Sequence, residues 1–325
     1  MIPFKKINLG NAYEEIKPLF ESGLIGLGDK VTELEKKLAD YVGARHVVAL
    51  NSCTSALFLC AKWEKGKEGV RKVSIPSMTF TLALDAILQA GLKVEFDDRT
   101  DWVGKYYQMT GSGIVDSAHE LRRGQFREMK DAGYPDNLKL CFSFYPTKTV
   151  GGADGGAIAT DDDRFAEWAR SAAVYGRSKS EKQQNSWDYD VNMIGYKLHM
   201  TNLQAVIILE QLNRLDHTNA KRQVISAAYD LAFNLTNDSD YLYRIKVFNR
   251  DRFIEKMLAA GIECGVHFRP LHTFAPFGHI PMKKEDKITV EQAFAETVSL
   301  PLYDLLSSGE VEYIVEQVKE TGDLI

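Results

Sequence analysis

The sequence is poor in the features that would make a stapled, membrane-spanning or nucleic-acid-binding protein. Its 325 residues include four cysteines, Cys53, Cys60, Cys141 and Cys264. They share neither a CxxC nor a metal-ligand spacing, so the sequence predicts no disulfide framework and no metal site, and the thiols read as reduced and cytoplasmic. No apolar run approaches the roughly 18 residues that a membrane helix needs. Met1-Ile2-Pro3-Phe4-Lys5-Lys6 has no apolar stretch behind its lysines, so no secretion signal or membrane association is expected. Charge of one sign is also lacking. Lys+Arg 40 against Asp+Glu 45 leaves a formal net charge of −5, with no dense basic block, and nucleic acid is not an expected partner. Internal repeats and linkers rich in Pro or Ser are absent as well.

What is present is the composition of a globular chain, 45% hydrophobic and 26% charged, long enough for a large domain with a smaller companion. In the first half, helical and strand periods alternate. Residues 29–42 place Val31, Leu34, Leu38 and Val42 on one helical face before Gly43 stops the helix. His46 to Leu50 predicts a buried strand followed by a helix to Trp63; Lys72 to Ile75 predicts another, followed by a helix from Thr79 to Ala90. Further strands are expected at Val94–Phe96, Gly113–Val115, Leu138–Phe144 and Gly156–Thr160. The fold class expected is α/β, with a mostly parallel central sheet flanked by helices. After a helix at Asn202–Leu215 come a helix at Ala220–Leu235, a strand at Leu242–Val247, a helix at Arg252–Ala260, a strand at Ile262–Phe268 and a helix at Gly309–Lys319. This predicts a large domain over 1–215 and a small α+β domain over 216–325.

Four local patterns carry chemistry. Asn51-Ser52-Cys53-Thr54-Ser55 leaves a strand and opens a helix, so its free N–H groups, with the Thr54 and Ser55 hydroxyls, suit a phosphate, or else form an ordinary N-cap. Asp116 ends an apolar strand at the crevice edge, where it would hold a cation such as a pyridinium nitrogen, or simply begin a turn. His119 follows it. Lys148, just past the strand ending in Ser143-Phe144 and before Gly151-Gly152-Ala153-Asp154-Gly155-Gly156, sits where a lysine can do Schiff-base chemistry, or else lies solvated in a loop. Phe80, after Pro76-Ser77-Met78-Thr79, offers a flat face to an aromatic ligand, or packs in the core.

Taken in order, these patterns resemble the DegT/DnrJ/EryC1/StrS family of pyridoxal 5'-phosphate (PLP)-dependent sugar aminotransferases, of fold type I. The likeness also takes in Ser22 to Gly28, Gly195 to Gln204, Gln211-Leu212, Gly261-Ile262, His267 to His272 and Ser299-Leu300-Pro301. It implies that Lys148 carries PLP and moves the proton, that Asp116 pairs with the ring nitrogen, that Phe80 stacks on the ring and that His119 lies near its hydroxyl. It further implies that Thr54, Ser55 and Ser143 hold the phosphate and that the active sites are shared across a homodimer. The activity implied is transfer of an amino group from glutamate or glutamine to a nucleotide-linked keto sugar. PLP-dependent sugar dehydration is an alternative, although relatives that dehydrate have histidine in place of the lysine. A non-catalytic binding or regulatory descendant is another.

The chain departs from the family at three places. Cys53 stands where relatives have Gly. Lys197-Leu198-His199 replaces an Asn-Tyr-Arg stretch whose Asn reaches the neighbour's phosphate, which carries Lys197 into the expected cofactor site. Too few residues separate Asp98 from Asp116 for the strand and helix that relatives place there, so Thr100–Ser112 is expected to be rebuilt with a strand or crossover fewer. The stretch Asn237–Tyr243 also looks trimmed.

Overall fold

Apolar periodicity sets the first elements of the computed structural model, which describes residues 1–66, 72–178 and 189–325. Helix α1 (Ala12–Ser22) precedes α2 (Asp29–Val42), which buries Val31, Leu34, Leu38 and Val42. Gly43 ends α2 at φ 80°, a conformation that favours glycine. Strand β1 (His46–Leu50) runs into α3 (Cys53–Lys65), and β2 (Lys72–Pro76) into α4 (Thr81–Ala90) and β3 (Lys93–Asp97). Then follow β4 (Tyr107–Gln108), β5 (Ile114–Asp116), α5 (Gln125–Asp131), β6 (Lys139–Ser143), β7 (Gly156–Thr160) and α6 (Asp163–Ala173).

Five strands form one sheet in the order β1-β7-β6-β5-β4. β7 lies antiparallel between β1 and β6, β5 is parallel to β6, and β4 is antiparallel to β5. β2 and β3 pair in parallel. Thr110, just past β4, exchanges two backbone hydrogen bonds of 3.0 Å with Ser74 of β2 in an antiparallel bridge. It follows that β1, β6, β5, β2 and β3 point one way and only β7 and β4 oppose them, so the expected mostly parallel sheet holds in direction. Because strand side chains alternate, Val47, Ala49, Leu140 and Phe142 pack on one face with α2, α5 and the later α7 (Asn202–Asn213), while Val48, Leu50, Cys141 and Ile158 meet α3, α4 and α6 on the other.

A short ladder of β8 (Arg177–Ser178) and β9 (Asp190–Val191) precedes α7. Thr201 caps α7 in a capping box with Gln204. Helix α8 (Leu215–Phe233) begins at Leu215, earlier than the expected Ala220, since α7 ends at Asn213 and the chain resumes a helix at once. A second layer holds β10 (Tyr243–Lys246), α9 (Arg250–Ala259), β11 (Thr297–Leu300) and α11 (Ser308–Thr321), with β10 and β11 antiparallel over a third apolar cluster, while α10 (Lys284–Glu296) buries Val290 in the cluster that α3 and α4 share.

One expected strand is absent. Residues 262–268 make only two isolated bridges, Ile262 to Ile2 and Gly265 to Ser299. Two different partners touch this segment at two points, so no continuous ladder forms. Between β3 and β5 there is no helix. The chain makes a turn closed by Lys105 N–H to the Trp102 carbonyl at 2.7 Å, runs through β4 and reverses at Gly111 (φ 87°) into β5.

Candidate active site

Three backbone features converge at the carboxyl ends of β1, β5 and β6. The first is the turn into α3. Ser52 is its N-cap and its hydroxyl accepts the Ser55 N–H at 3.1 Å, while the Ser55 hydroxyl donates to Asn51 Oδ1 at 2.7 Å. By helix geometry the N–H groups of Cys53 and Thr54 have no intrahelical acceptor and face the helix's positive end. The start of β7 presses against this turn. A Cβ on Gly156 would stand 2.3 Å from both Cys53 N and Ser52 C, so only glycine fits there. Ser143 is the β6 partner of Gly156 and therefore flanks the same turn. Cys53 turns its side chain into the core, where burial pushes its thiol pKa well up and keeps it neutral.

The second feature is the exit of β5. Asp116 is 5% exposed, and its Oδ1 accepts the Ala118 N–H at 3.0 Å. Burial raises its pKa, against the lowering effects of that N–H, the Lys148 charge and the Tyr107 hydroxyl. His119 is buried, and its Nδ1 accepts the Gly104 N–H at 3.1 Å. That bond places the ring proton on Nε2. Burial, followed by the charge of Lys148, pushes the His119 pKa well below its usual value, so the ring is neutral.

The third is the loop after β6. Lys148 Nζ lies 3.4 Å from the Tyr241 hydroxyl and 4.7 Å from the centre of that ring. Lys5 Nζ stands 4.5 Å from the same centre and donates to the carbonyls of Tyr241 and Leu302. A small cleft beside Lys148 is lined by Lys5, Asn8, Arg222, Tyr241 and Asp304.

Ring contacts tie these features together. Tyr241 lies 4.7 Å from His119, His119 5.5 Å from Phe268, and Phe268 6.0 Å from Phe80, which caps α4 and is 54% exposed. The structure thus gathers Lys148, Asp116, His119 and Phe80 around one crevice, with Thr54, Ser55 and Ser143 at the helix turn beside it. Lys197 stands apart. Its side chain is exposed, and its backbone bridges Val174 while the next residue, Leu198, accepts the Asn51 N–H at 2.8 Å. It flanks the turn without entering this crevice.

Sequence reasoning gave no role to Trp102, Gly104, Tyr107, Tyr241 or Lys5. The first three lie in the rebuilt segment, which has no period to read, and Tyr241 lies in the stretch that looked trimmed. A glycine flanked by Trp and Tyr was the available signal.

The donor set fits PLP. A buried carboxylate opposite few donors suits a cationic ring nitrogen, a neutral His119 with its proton on Nε2 suits a ring oxygen, and a glycine-floored helix N-terminus suits a phosphate. Among the described residues no group of His, Cys, Asp or Glu is arranged to hold a metal ion, and no helix is long and apolar enough to cross a membrane.

Comparison with known proteins agrees. The sequence pattern of the DegT/DnrJ/EryC1/StrS aminotransferase family matches residues 9–107 and 114–319, a match interrupted only inside the hairpin of β4 and β5. The spore coat polysaccharide biosynthesis protein SpsC of Bacillus subtilis is 28% identical, over 94% of this chain and 93% of that one. The UDP-4-amino-4,6-dideoxy-N-acetyl-beta-L-altrosamine transaminase of Campylobacter jejuni is 25% identical, over 88% of each chain. Among solved structures, AtS13 from Actinomadura melliaura superposes with a TM-score of 0.80 at 25% identity, over 98% of both chains.

Proposed function

The chain belongs to the DegT/DnrJ/EryC1/StrS aminotransferase family, whose sugar aminotransferases use PLP, and from that premise we propose that it moves an amino group from glutamate or glutamine onto a nucleotide-linked keto sugar as a homodimer. The observation that carries the reading is the placement of Lys148 and Asp116 in one crevice at the ends of β5 and β6, with the Gly156-floored turn beside them. The Campylobacter relative, named for a UDP-linked sugar, supports the substrate class.

PLP bound here would supply an electron sink that stabilises a carbanion next to the amino nitrogen. Each residue then has its own task. Asp116, ionised, would pair with the ring nitrogen and keep it protonated. His119 would donate Nε2–H to the ring oxygen, and Phe80 would cover a ring face. The N–H groups of Cys53 and Thr54, with the hydroxyls of Thr54, Ser55 and Ser143, would bind the phosphate, and Lys197 would reach the phosphate of a neighbouring subunit. Lys148 Nζ would accept and return the proton; its contact to Tyr241 at 3.4 Å is long enough to be given up. The packed rings of Tyr241, His119 and Phe268 would shield one side of the crevice from water.

Purified protein is expected to absorb in the visible region with PLP and to bleach on addition of glutamate or glutamine, with colour returning when a nucleotide keto sugar accepts the amine. Absence of colour would favour the binding or regulatory reading, and colour that no amino donor bleaches would favour another PLP reaction such as dehydration.

A further inference from the structure

The segment between β3 and β5, expected to be rebuilt with a strand or crossover fewer, is short, yet three of its residues reach the exit of β5. Trp102 stacks on His119 at 5.2 Å and 23°, and the Gly104 N–H fixes the His119 tautomer. Tyr107 is the direct β4 partner of Asp116 in the antiparallel ladder. Tyr107 is only 2% exposed, its ring meets Trp102 edge-on at 4.6 Å, and its hydroxyl lies 3.2 Å from Thr79 Oγ1. With the Thr79 hydroxyl donating to it, the phenol has its own proton left for Asp116.

The segment is anchored from the second layer. The Ser239 hydroxyl donates to the Gly104 carbonyl at 2.7 Å, and Arg244 Nη1 donates to the Thr100 carbonyl at 3.0 Å. At Gly104, φ is 103° and a Cβ would stand 2.8 Å from Ser239 Oγ, so this turn requires glycine. A loop that only bridged a gap would need none of these ties.

We propose that Tyr107 is a positioning residue: through its hydroxyl, backed by Thr79, it orients the Asp116 carboxylate and holds it ionised toward the ring nitrogen of PLP. The inference rests on Asp116 being that nitrogen's partner. Two observations support it. Asp116 and Tyr107 are direct partners in the β4–β5 ladder, so their side chains share one face of the sheet and the buried hydroxyl, next to Thr79, stands on the side of a carboxylate whose one backbone donor among the described residues is the Ala118 N–H; the Tyr107 hydroxyl is among the groups that favour the charged carboxylate. Burial, followed by the nearby Asp116 charge, raises the pKa of the phenol well above its usual value, so it keeps the proton it donates.

The test is equilibrium titration of the full-length apo-protein with PLP and with the 1-deaza analogue, in which carbon replaces the ring nitrogen. The wild type is expected to prefer PLP and Asp116→Asn to lose that preference. Tyr107→Phe, which keeps the ring and its packing, is expected to lower the preference about tenfold, the scale of one hydrogen bond to a charged group. A merely structural tyrosine would weaken both ligands alike and leave the ratio untouched. A ratio unchanged in Tyr107→Phe but lost in Asp116→Asn would overturn the proposal while leaving the assignment of Asp116 intact. A ratio unchanged in Asp116→Asn, or absent from the wild type, would overturn both.

Discussion

The hydroxyl of Ser77 and Nδ1 of His272 lie 2.7 Å apart, and Nε2 of the same ring meets Glu291 Oε1 at 2.9 Å. The line resembles a hydrolytic triad, but Ser77 is fully buried and has no access to a substrate. It acts as a strut. Ser77 lies in the turn that leads to Phe80, and the Leu271 N–H donates to its carbonyl at 2.7 Å, so the strut ties the two segments whose rings meet at Phe80 and Phe268. His272→Ala should cost about 1–3 kcal/mol in urea unfolding, because the buried Ser77 hydroxyl loses the acceptor of its proton and keeps only the long contact from the N–H of residue 272 at 3.4 Å. An unmoved midpoint would show that the line carries no stability.

Lys148→Ala should lower transamination by about a thousandfold or more while the protein still folds, since the side chain is half-buried and its hydrogen bond to Tyr241 is long. Borohydride reduction of the wild-type holoenzyme should leave the cofactor covalently on Lys148. Recovery of the label on Lys5, which shares the Tyr241 ring, would reassign the chemistry to that lysine.

His267 gives a pH dependence whose sign is fixed. Burial and the charges of Lys5, Lys148 and Arg244 push its pKa down to about 3, so the folded protein keeps it neutral while the unfolded chain protonates it near pH 6.5. The unfolded state therefore binds more protons between those values. Stability from this group is complete above pH 6.5 and is lost as the pH falls toward 3, by at most about 1.4 kcal/mol per unit. His267→Asn should flatten the fall in unfolding free energy between pH 7 and pH 5. Parallel wild-type and variant curves would mean that the ring is solvated.

Lys197→Ala should raise the dissociation constant for PLP by about one to two powers of ten if the lysine serves a neighbouring subunit's phosphate through one charge-assisted contact. Its exposure on the single chain, beside the turn at Asn51, is what such a reach requires. Unchanged PLP affinity in a variant that remains dimeric would leave Lys197 as an ordinary surface residue.

Legibility in the sequence follows physical cause. β1 and the α3 cap could be read because a run of apolar residues ends in Asn-Ser, and Gly156 because a glycine before a strand signals a close approach, here 2.3 Å to Cys53 N. The direction of β7 could not be read. All five of its residues are buried, and a strand covered on both faces shows no alternation that distinguishes parallel from antiparallel. β4 is two residues long, too short for any period. Tyr107 became part of the crevice only through its register opposite Asp116, a pairing that depends on the hairpin and on ties from Ser239 and Arg244 far along the chain.

The insertion of β7 between β1 and β6 has a consequence for the order in which a growing chain can settle. β1 emerges early, but His46 pairs with Thr160 and Leu50 bridges His199, so both edges of the strand wait for residues made more than a hundred positions later. Until then the strand that leads to Asn51 has open edges and the helix start beyond it lacks its glycine floor, the situation in which nascent α/β chains collect non-native partners. The helix turn beside Lys148 is thus synthesised near the beginning and locked only after α6 and the bridge at His199 have arrived.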